Sequence, residues 1–176
     1  GHPFEMDAHL ERLRKSLEAI RIDLPLSHNE WRKIAVELTK QNNLNESTFT
    51  LYLHITRGPE PYRRHVISKD IKPTIIATCM KGQFFTKEER YKGFKAITGE
   101  DSRRRDCYIK ETSLLPSVLL ANQALAKDAL EVILIRDGNV TEGAVSNVFL
   151  AKNNEIFTPD LSPYILGGIT RAVTLK

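Results

Sequence analysis

The stretch Thr141-Glu142-Gly143-Ala144-Val145-Ser146-Asn147-Val148-Phe149 decides the fold of this chain more than any other segment. It places a single carboxylate, that of Glu142, after a predicted strand and turn and directly before small residues. Small residues leave room for a flat ligand to approach the backbone. A carboxylate in this position can contact a ring nitrogen and favour its protonated form. The alternative is an ordinary solvated turn carboxylate.

A second informative segment, Gly167-Gly168-Ile169-Thr170-Arg171, lies where a predicted loop enters a predicted helix. Free amide groups at a helix N-terminus, with a hydroxyl nearby, bind phosphate well. Arg12, on the first predicted helix, can add a bidentate contact to the same phosphate. Glycines that serve chain geometry alone, and a surface arginine, are the alternatives.

Lys110 ends the segment Cys107-Tyr108-Ile109-Lys110, which we expect to be the end of a strand. Burial favours the neutral form of an amine, and a neutral lysine can condense with a carbonyl cofactor and later move a proton. Lys110 is therefore the candidate catalytic residue. Most lysines are simply solvated, and that alternative stays open.

Two basic segments are further candidates. Arg63 and His65 follow a proline-rich turn, and an arginine with a histidine two positions on can grip a carboxylate from one side. The alternative is a solvated basic loop. The run Arg103-Arg104-Arg105 invites a nucleic-acid interpretation, but no aromatic interleaving accompanies it.

The composition is that of an ordinary globular protein. The chain has 176 residues, of which 41% are hydrophobic and 27% charged, with a formal net charge of +4. Cys79 and Cys107 lie far apart and outside any metal-ligand spacing, so we expect two reduced thiols. With no apolar run of transmembrane length and no signal-peptide pattern, we expect a cytoplasmic protein without a membrane partner. The basic residues are spread along the chain rather than gathered in one tail, so we expect no nucleic-acid partner.

The periodicity predicts a mixed α/β fold. Apolar spacing predicts a helix over 7–21 with Asp7 as its N-cap, and Ser27 with Glu30 forms a capping-box pair before a second helix that ends near Asn42. We expect both helices to pack on one sheet. Predicted strands cover 47–56, 73–80, 93–98 and 130–136, and a helix runs from Pro116 to about Asp128; turns follow at Asp137-Gly138 and Asn153-Asn154.

Two domains are predicted from this organisation: a small α/β domain over 1–82, a connection over 83–90, and a larger domain over 91–176. The chain starts at Gly1 without an initiator methionine and stops at Lys176 in the first turns of a predicted helix. We therefore expect the small domain to be incomplete at its start and the larger one at its end.

Taken in order, these segments resemble the class IV, or fold type IV, pyridoxal-phosphate-dependent aminotransferases, and among them the D-amino-acid aminotransferases most closely. The resemblance spans nearly the whole chain; it is carried by Ala8-His9-Leu10-Glu11-Arg12-Leu13, Ile55-Thr56-Arg57-Gly58, Ile109 to Leu115, Thr141 to Phe149, and Ile165 to Arg171. It implies a small α/β lobe and a larger α/β barrel-like domain.

The resemblance also implies a function for each candidate residue. Lys110 is similar to the lysine that carries pyridoxal 5'-phosphate covalently, and Glu142 to the partner of the pyridine nitrogen. Arg63 and His65 fit the pair that holds the substrate carboxylate from a neighbouring subunit, which implies a homodimer. The cofactor-binding set implied is Arg12, Lys110, Glu142, Ser146, Asn147, Leu166, Gly168, Ile169 and Thr170, with Leu166 against the ring.

The expected reaction is transamination between a D-amino acid and a 2-oxo acid by a ping-pong mechanism. The chain differs from the family's usual pattern at 58–62, where the turn is one residue longer, and at Glu111-Thr112-Ser113, where the D-amino-acid enzymes favour Ser-Leu-Asn. Three alternatives stay open: a branched-chain L-amino-acid aminotransferase, a lyase of the aminodeoxychorismate type, and a basic RNA-binding module without catalysis.

Overall fold

The computed structural model describes residues 3–44, 48–63, 65–68, 70–82 and 84–176. The chain divides into two compact units, Gly1–Phe84 and Phe85–Lys176. The division into a small domain over 1–82, a connection over 83–90 and a larger cofactor-binding domain over 91–176 stays a prediction. Within the described residues, no helix combines the length and the apolar character needed to cross a membrane.

Two helices open the first unit. Helix α1 spans Met6–Ala19, and helix α2 spans His28–Gln41. The prediction of Asp7 as an N-cap was wrong, because Glu5 holds that position and Asp7 lies in the first turn, where its carboxylate pairs with Arg32 of α2 at 2.5 Å. The predicted capping box of α2 is confirmed: Ser27 accepts from the Glu30 amide, and Glu30 accepts from the Ser27 amide.

Strand β1 (Phe49–Thr56) and strand β2 (Thr74–Lys81) form an antiparallel pair that begins with Phe49 opposite Lys81. The predicted start of β1 at Ser47 lies outside the described residues. As expected, both helices pack on this sheet, because Trp31 is fully buried and alternate β1 side chains face the helices. The core of the first unit comprises Met6, Leu10, Trp31 and Ala35, covered by Leu51, Leu53, Ile55 and Ile75.

The second unit begins with a short helix that we did not predict. Helix α3 (Lys87–Lys92) starts after Thr86, whose hydroxyl accepts from the Glu89 amide while the Glu89 carboxylate accepts from the Thr86 amide. This is a second capping box, and its Thr-x-x-Glu spacing was visible in the sequence. Because the segment is polar, we interpreted it as a connection and not as a helix.

A three-stranded sheet forms the centre of the second unit. Strand β3 (Ala96–Glu100) pairs in parallel with β4 (Glu131–Arg136), and β4 pairs antiparallel with β5 (Asn139–Gly143). Helix α4 (Leu115–Leu125) connects the two parallel strands, and Leu120 and Ala124 pack on Val132 and Leu134. Pro116 is the second residue of α4, one position later than predicted.

The remaining elements follow two tight turns. Asp137 and Gly138 have φ of 51° and 77°, and Asn153 and Asn154 have φ of 51° and 62°, so both predicted hairpin turns are confirmed. The second turn joins β6 (Leu150–Lys152) to β7 (Glu155–Phe157), and α5 (Ile169–Thr174) follows with Gly168 as N-cap. Lys110 lies in an irregular segment, so its prediction as a strand end was wrong.

Candidate active site

A β-bulge places the central carboxylate of the site. Ile133 of β4 pairs with Gly143, and Ile135 pairs with Val140, so two residues of β5 lie opposite one residue of β4. In a regular strand consecutive side chains alternate between faces. Here the two consecutive residues Thr141 and Glu142 are both buried. The bulge therefore brings both of their side chains into the same interior.

Both oxygens of the Glu142 carboxylate are engaged. Oε1 accepts from Nη1 of Arg103 at 2.5 Å. Oε2 accepts from Nδ2 of Asn147 and from the Leu166 amide, each at 3.0 Å. Only 5% of Glu142 is exposed. The carboxylate is thus held in one orientation by a cation, a side-chain amide and a backbone amide.

Arg103 lies between two buried carboxylates. Its Nε and Nη2 donate to the two oxygens of Asp101, each at 2.9 Å, while Nη1 turns to Glu142. Nη2 also donates to the Tyr164 carbonyl. The Asp101 carboxylate is fully buried and accepts a further hydrogen bond from the Thr141 hydroxyl at 2.9 Å. Asp101 therefore fixes the orientation of the guanidinium, whose third donor is directed at Glu142.

The two carboxyl groups respond to this arrangement in opposite ways. For Asp101, burial opposes ionisation, but the hydrogen bonds from Arg103 and Thr141 outweigh it and lower the pKa to about 2. For Glu142, burial raises the pKa, and the hydrogen bond and charge of Arg103 offset only part of that rise. Glu142 is consequently the more basic group of the pair and the better partner for a bound proton.

The turn after Glu142 is held by another carboxylate, that of Glu131 at the start of β4. It accepts from the amides of Ala144 and Val145 and, at 2.7 Å, from the Ser146 hydroxyl. A Cβ at Gly143 would meet this carboxylate at 2.8 Å. The small residues of the turn are thus needed for the turn itself as well as for an approaching ligand.

Asn147 links this turn to the start of α5. Its Nδ2 donates both to Glu142 and, at 3.0 Å, to the Leu166 carbonyl. A Cβ at Gly168 would lie 2.0 Å from Oδ1 of Asn147, so a side chain there would require Asn147 to move. Among the residues implied by the sequence, the structure therefore brings together Glu142, Asn147, Leu166 and Gly168.

Ile169 and Thr170 lie in the first turn of α5. Gly168 is the N-cap, and no side chain of the described residues makes a capping hydrogen bond there. Ser146 is near this group in sequence, but its hydroxyl bonds to Glu131. Lys110 is exposed and follows the turn at Cys107, whose amide donates to the Pro163 carbonyl at 2.8 Å. That bond ties the lysine segment to the loop that leads to Leu166.

Three of the residues implied by the sequence lie in the first unit. Arg12 is half-buried on α1, where burial lowers its pKa, and its Nη2 lies 3.5 Å from Nδ1 of His9. Arg63 and His65 are exposed in the loop between β1 and β2. That loop is closed by Glu60, which accepts from the amide and the hydroxyl of Ser68.

Sequence reasoning missed Asp101 and the contacts of Arg103. Two members of the basic run form ion pairs within the fold: the Arg103 side chain is 10% exposed between Asp101 and Glu142, and Arg104 pairs with Glu111 at 2.5 Å. The available signal was an acidic residue directly after a strand, with an arginine two positions later. On its own, that spacing is too common to indicate a site.

The sequence matches the family described as amino-transferase class IV over residues 1–176. The chain therefore belongs to the class IV aminotransferase family. A D-alanine aminotransferase of Bacillus licheniformis is 40% identical over 176 residues, which is all of this chain and 61% of the relative. The chain thus spans about three fifths of the length of the relatives it matches.

Two solved structures have the same fold. A fold IV transaminase of Curtobacterium pusillum gives a TM-score of 0.81 at 24% identity, over 99% of this chain and 59% of that one. The pyridoxal-phosphate form of a branched-chain amino acid aminotransferase of Thermobaculum terrenum gives 0.80 at 20% identity, over 98% and 56%. The mixed α/β architecture of fold type IV, predicted from the sequence, is confirmed.

Proposed function

We propose that the whole protein is a pyridoxal-phosphate-dependent aminotransferase that moves an amino group between a D-amino acid and a 2-oxo acid. Family membership over the entire chain supports the reaction class. The 40% identity with a D-alanine aminotransferase supports the D-amino-acid donor. The observation that carries the proposal is the buried, oriented Glu142 carboxylate, which is bonded to the loop that enters α5.

The residues present fit pyridoxal phosphate. From the described residues, the two Glu142 oxygens accept three hydrogen bonds, and a carboxylate has about four acceptor positions, which suits one further bond from a ring N–H. The amides of Ile169 and Thr170 begin a helix that no described side chain caps, which suits a phosphate group. We assign Leu166 to the ring face, Ser146 and Asn147 to the neighbouring turn, and Arg12 to the phosphate.

When bound, the cofactor supplies an electron sink that stabilises negative charge at the substrate α-carbon. Glu142 holds a proton at the pyridine nitrogen and so keeps the ring electron-poor. The Lys110 amine would hold the cofactor through its carbonyl group. As a free amine, the same group would be the base that takes the proton from the substrate α-carbon.

We assign Arg63 and His65 to the substrate carboxylate. Both are exposed on a loop that Glu60 and Ser68 close, which leaves them available to a ligand at a subunit interface. We propose that they act on the site of a neighbouring subunit in a homodimer, and that the enzyme is cytoplasmic. Branched-chain and lyase activities occur on the same fold, but the D-alanine relative at 40% identity does not favour them.

A visible spectrum of the whole protein with added pyridoxal phosphate tests the proposal. We expect an absorbance band from the lysine-bound cofactor, lost in Lys110→Ala and kept in the matched control Lys127→Ala, which changes an exposed lysine at the end of α4. D-alanine should bleach the band faster than L-alanine or L-leucine. Absence of a band in the unmodified protein contradicts the proposal, and bleaching by L-leucine alone contradicts the D-amino-acid assignment.

A further inference from the structure

We propose that Arg103 is a positioning residue that keeps the Glu142 carboxylate ionised and aimed at the pyridine nitrogen. This inference rests on the proposed function and deepens it, since it adds a residue behind the cofactor partner. Arg103 does not need to touch the cofactor. It acts through Glu142.

The first step of the argument is geometric. Arg103 is 10% exposed and Glu142 is 6% exposed at their side chains, and 2.5 Å separates Nη1 of Arg103 from Oε1 of Glu142. Asp101 fixes the opposite edge of the guanidinium with two bonds of 2.9 Å. A planar guanidinium held by a bidentate carboxylate has little rotational freedom. The direction of its third donor, towards Glu142, is therefore fixed by the fold.

The second step concerns charge. Without Arg103 the interior would hold two carboxylates, Asp101 and Glu142, with one of their counter-charges removed. Buried like charges disfavour joint ionisation, so one group takes up a proton. Glu142 is the one to do so, because burial already raises its pKa while Asp101 keeps its bonds to Thr141 and Arg136.

The third step connects charge to function. A protonated carboxyl can donate a hydrogen bond but offers no negative charge to a pyridinium. Glu142 would then no longer favour the protonated ring. Arg103 thus favours the ionised form of the cofactor partner. Within the part of the chain that the structure describes, the charged and titratable groups near Glu142 include Arg103 and Asp101 after β3 and Cys107 in the next turn. Glu131 and Arg136 lie on β4, and Tyr164 lies in the loop before α5.

The test follows the Glu142 carboxyl itself. The whole protein is labelled at the glutamate side-chain carboxyl carbons with ¹³C and titrated, with pyridoxal phosphate and after its removal, and Glu142→Gln assigns the signal. In Arg103→Gln we expect the midpoint of Glu142 in the cofactor-free protein to rise by about one pH unit or more. Arg103→Lys keeps the charge but loses the planar fork, and we expect a smaller rise.

Arg136→Gln is the matched control. Arg136 also pairs with Asp101, at 3.3 Å, donates to the Arg103 carbonyl and has its guanidinium over the Tyr164 ring, whereas the guanidinium that donates to Glu142 is that of Arg103. A general loosening of the network would move the Glu142 midpoint equally in Arg136→Gln and Arg103→Gln. A positioning role moves it in Arg103→Gln alone.

An unchanged Glu142 midpoint in Arg103→Gln, or equal shifts in both variants, would overturn the inference. If Arg103→Gln does not fold, Arg103→Lys decides, and a midpoint identical to that of the unmodified protein overturns the inference in the same way. The cofactor-free titration does not depend on Lys110 chemistry. Failure of the proposed function, seen as a missing absorbance band, is therefore distinguishable from failure of this inference.

Discussion

Asp101 shows how a single buried charge supports the site. Its side chain is fully buried and is bonded to Arg103, Arg136 and Thr141. Removing one partner of a buried ion pair costs about 3 to 5 kcal/mol, and here it takes away the carboxylate that Arg103 and Arg136 share. We therefore expect Asp101→Asn to lower the free energy of unfolding by about that amount at pH 7, as measured by urea denaturation.

The pH dependence of that loss has a definite sign. The folded-state pKa of Asp101 is about 2, below the ordinary 3.8, so its contribution is present above pH 4 and disappears as the pH falls towards 2. The difference between the unmodified protein and Asp101→Asn should shrink by about 1 kcal/mol between pH 5 and pH 3. Asp106→Asn, which removes an exposed carboxylate of the same loop, is the control. A difference that does not vary with pH would contradict this assignment.

Residue by residue, the sequence drew attention to a group with distinctive neighbours, whose contact with the cofactor stays a prediction, and missed groups that are defined by packing. Glu142 was identifiable because small residues follow it. Asp101 and Arg103 were not, since their importance arises from contacts with Glu142 and Thr141, about 40 positions later in the chain. The ion pair between Arg103 and Glu142 depends on the bulge in β5, and no residue pattern in the sequence marks that bulge.

At the scale of elements, the helix caps and turns, which depend on neighbouring residues, were the features that the sequence predicted best. The capping box at Ser27 and the turns at Asp137-Gly138 and Asn153-Asn154 need only neighbouring residues, and all three are confirmed. The prediction that Lys110 ends a strand was wrong because that segment depends on distant residues. Its conformation is fixed by a bond from Cys107 to Pro163, across more than fifty residues.

Gly58 allows a test of the loop that carries Arg63 and His65. Its φ is 112°, and a Cβ there would overlap with the Lys72 carbonyl, which is backbone and can move only together with its loop. We expect Gly58→Ala to lower the free energy of unfolding by about 2 kcal/mol or more, since backbone strain alone costs about 1 to 3. Urea denaturation measures this loss.

Gly138→Ala separates the backbone strain of a positive φ from the overlap of a new side chain with a neighbouring carbonyl. Gly138 also has positive φ, 77°, but no atom among the described residues lies within 4 Å of an added Cβ. Its variant should show the strain alone, about 1 to 2 kcal/mol. Equal losses in the two variants would mean that the overlap with Lys72 is relieved by a shift of the loop.

For the whole molecule, the proposed homodimer makes a prediction that neither unit makes alone. If Arg63 and His65 act on the neighbouring subunit's cofactor, one active site combines Lys110 of one chain with the basic pair of the other. Lys110→Ala and the double variant Arg63→Ala, His65→Ala should each be inactive as homodimers. A mixed dimer then contains one site with all three residues intact.

Mixing the two variants after reversible dissociation should therefore restore activity. Random reassociation of equal amounts gives about half mixed dimers, each with one complete site of two, so we expect roughly a quarter of the unmodified activity. The measurement is the rate of pyruvate formation from D-alanine and 2-oxoglutarate before and after mixing. Each variant dissociated and reassociated alone is the control. If mixing restores nothing while mixed dimers are shown to form, Arg63 and His65 act within their own chain, because only then does every dimer lack a complete site.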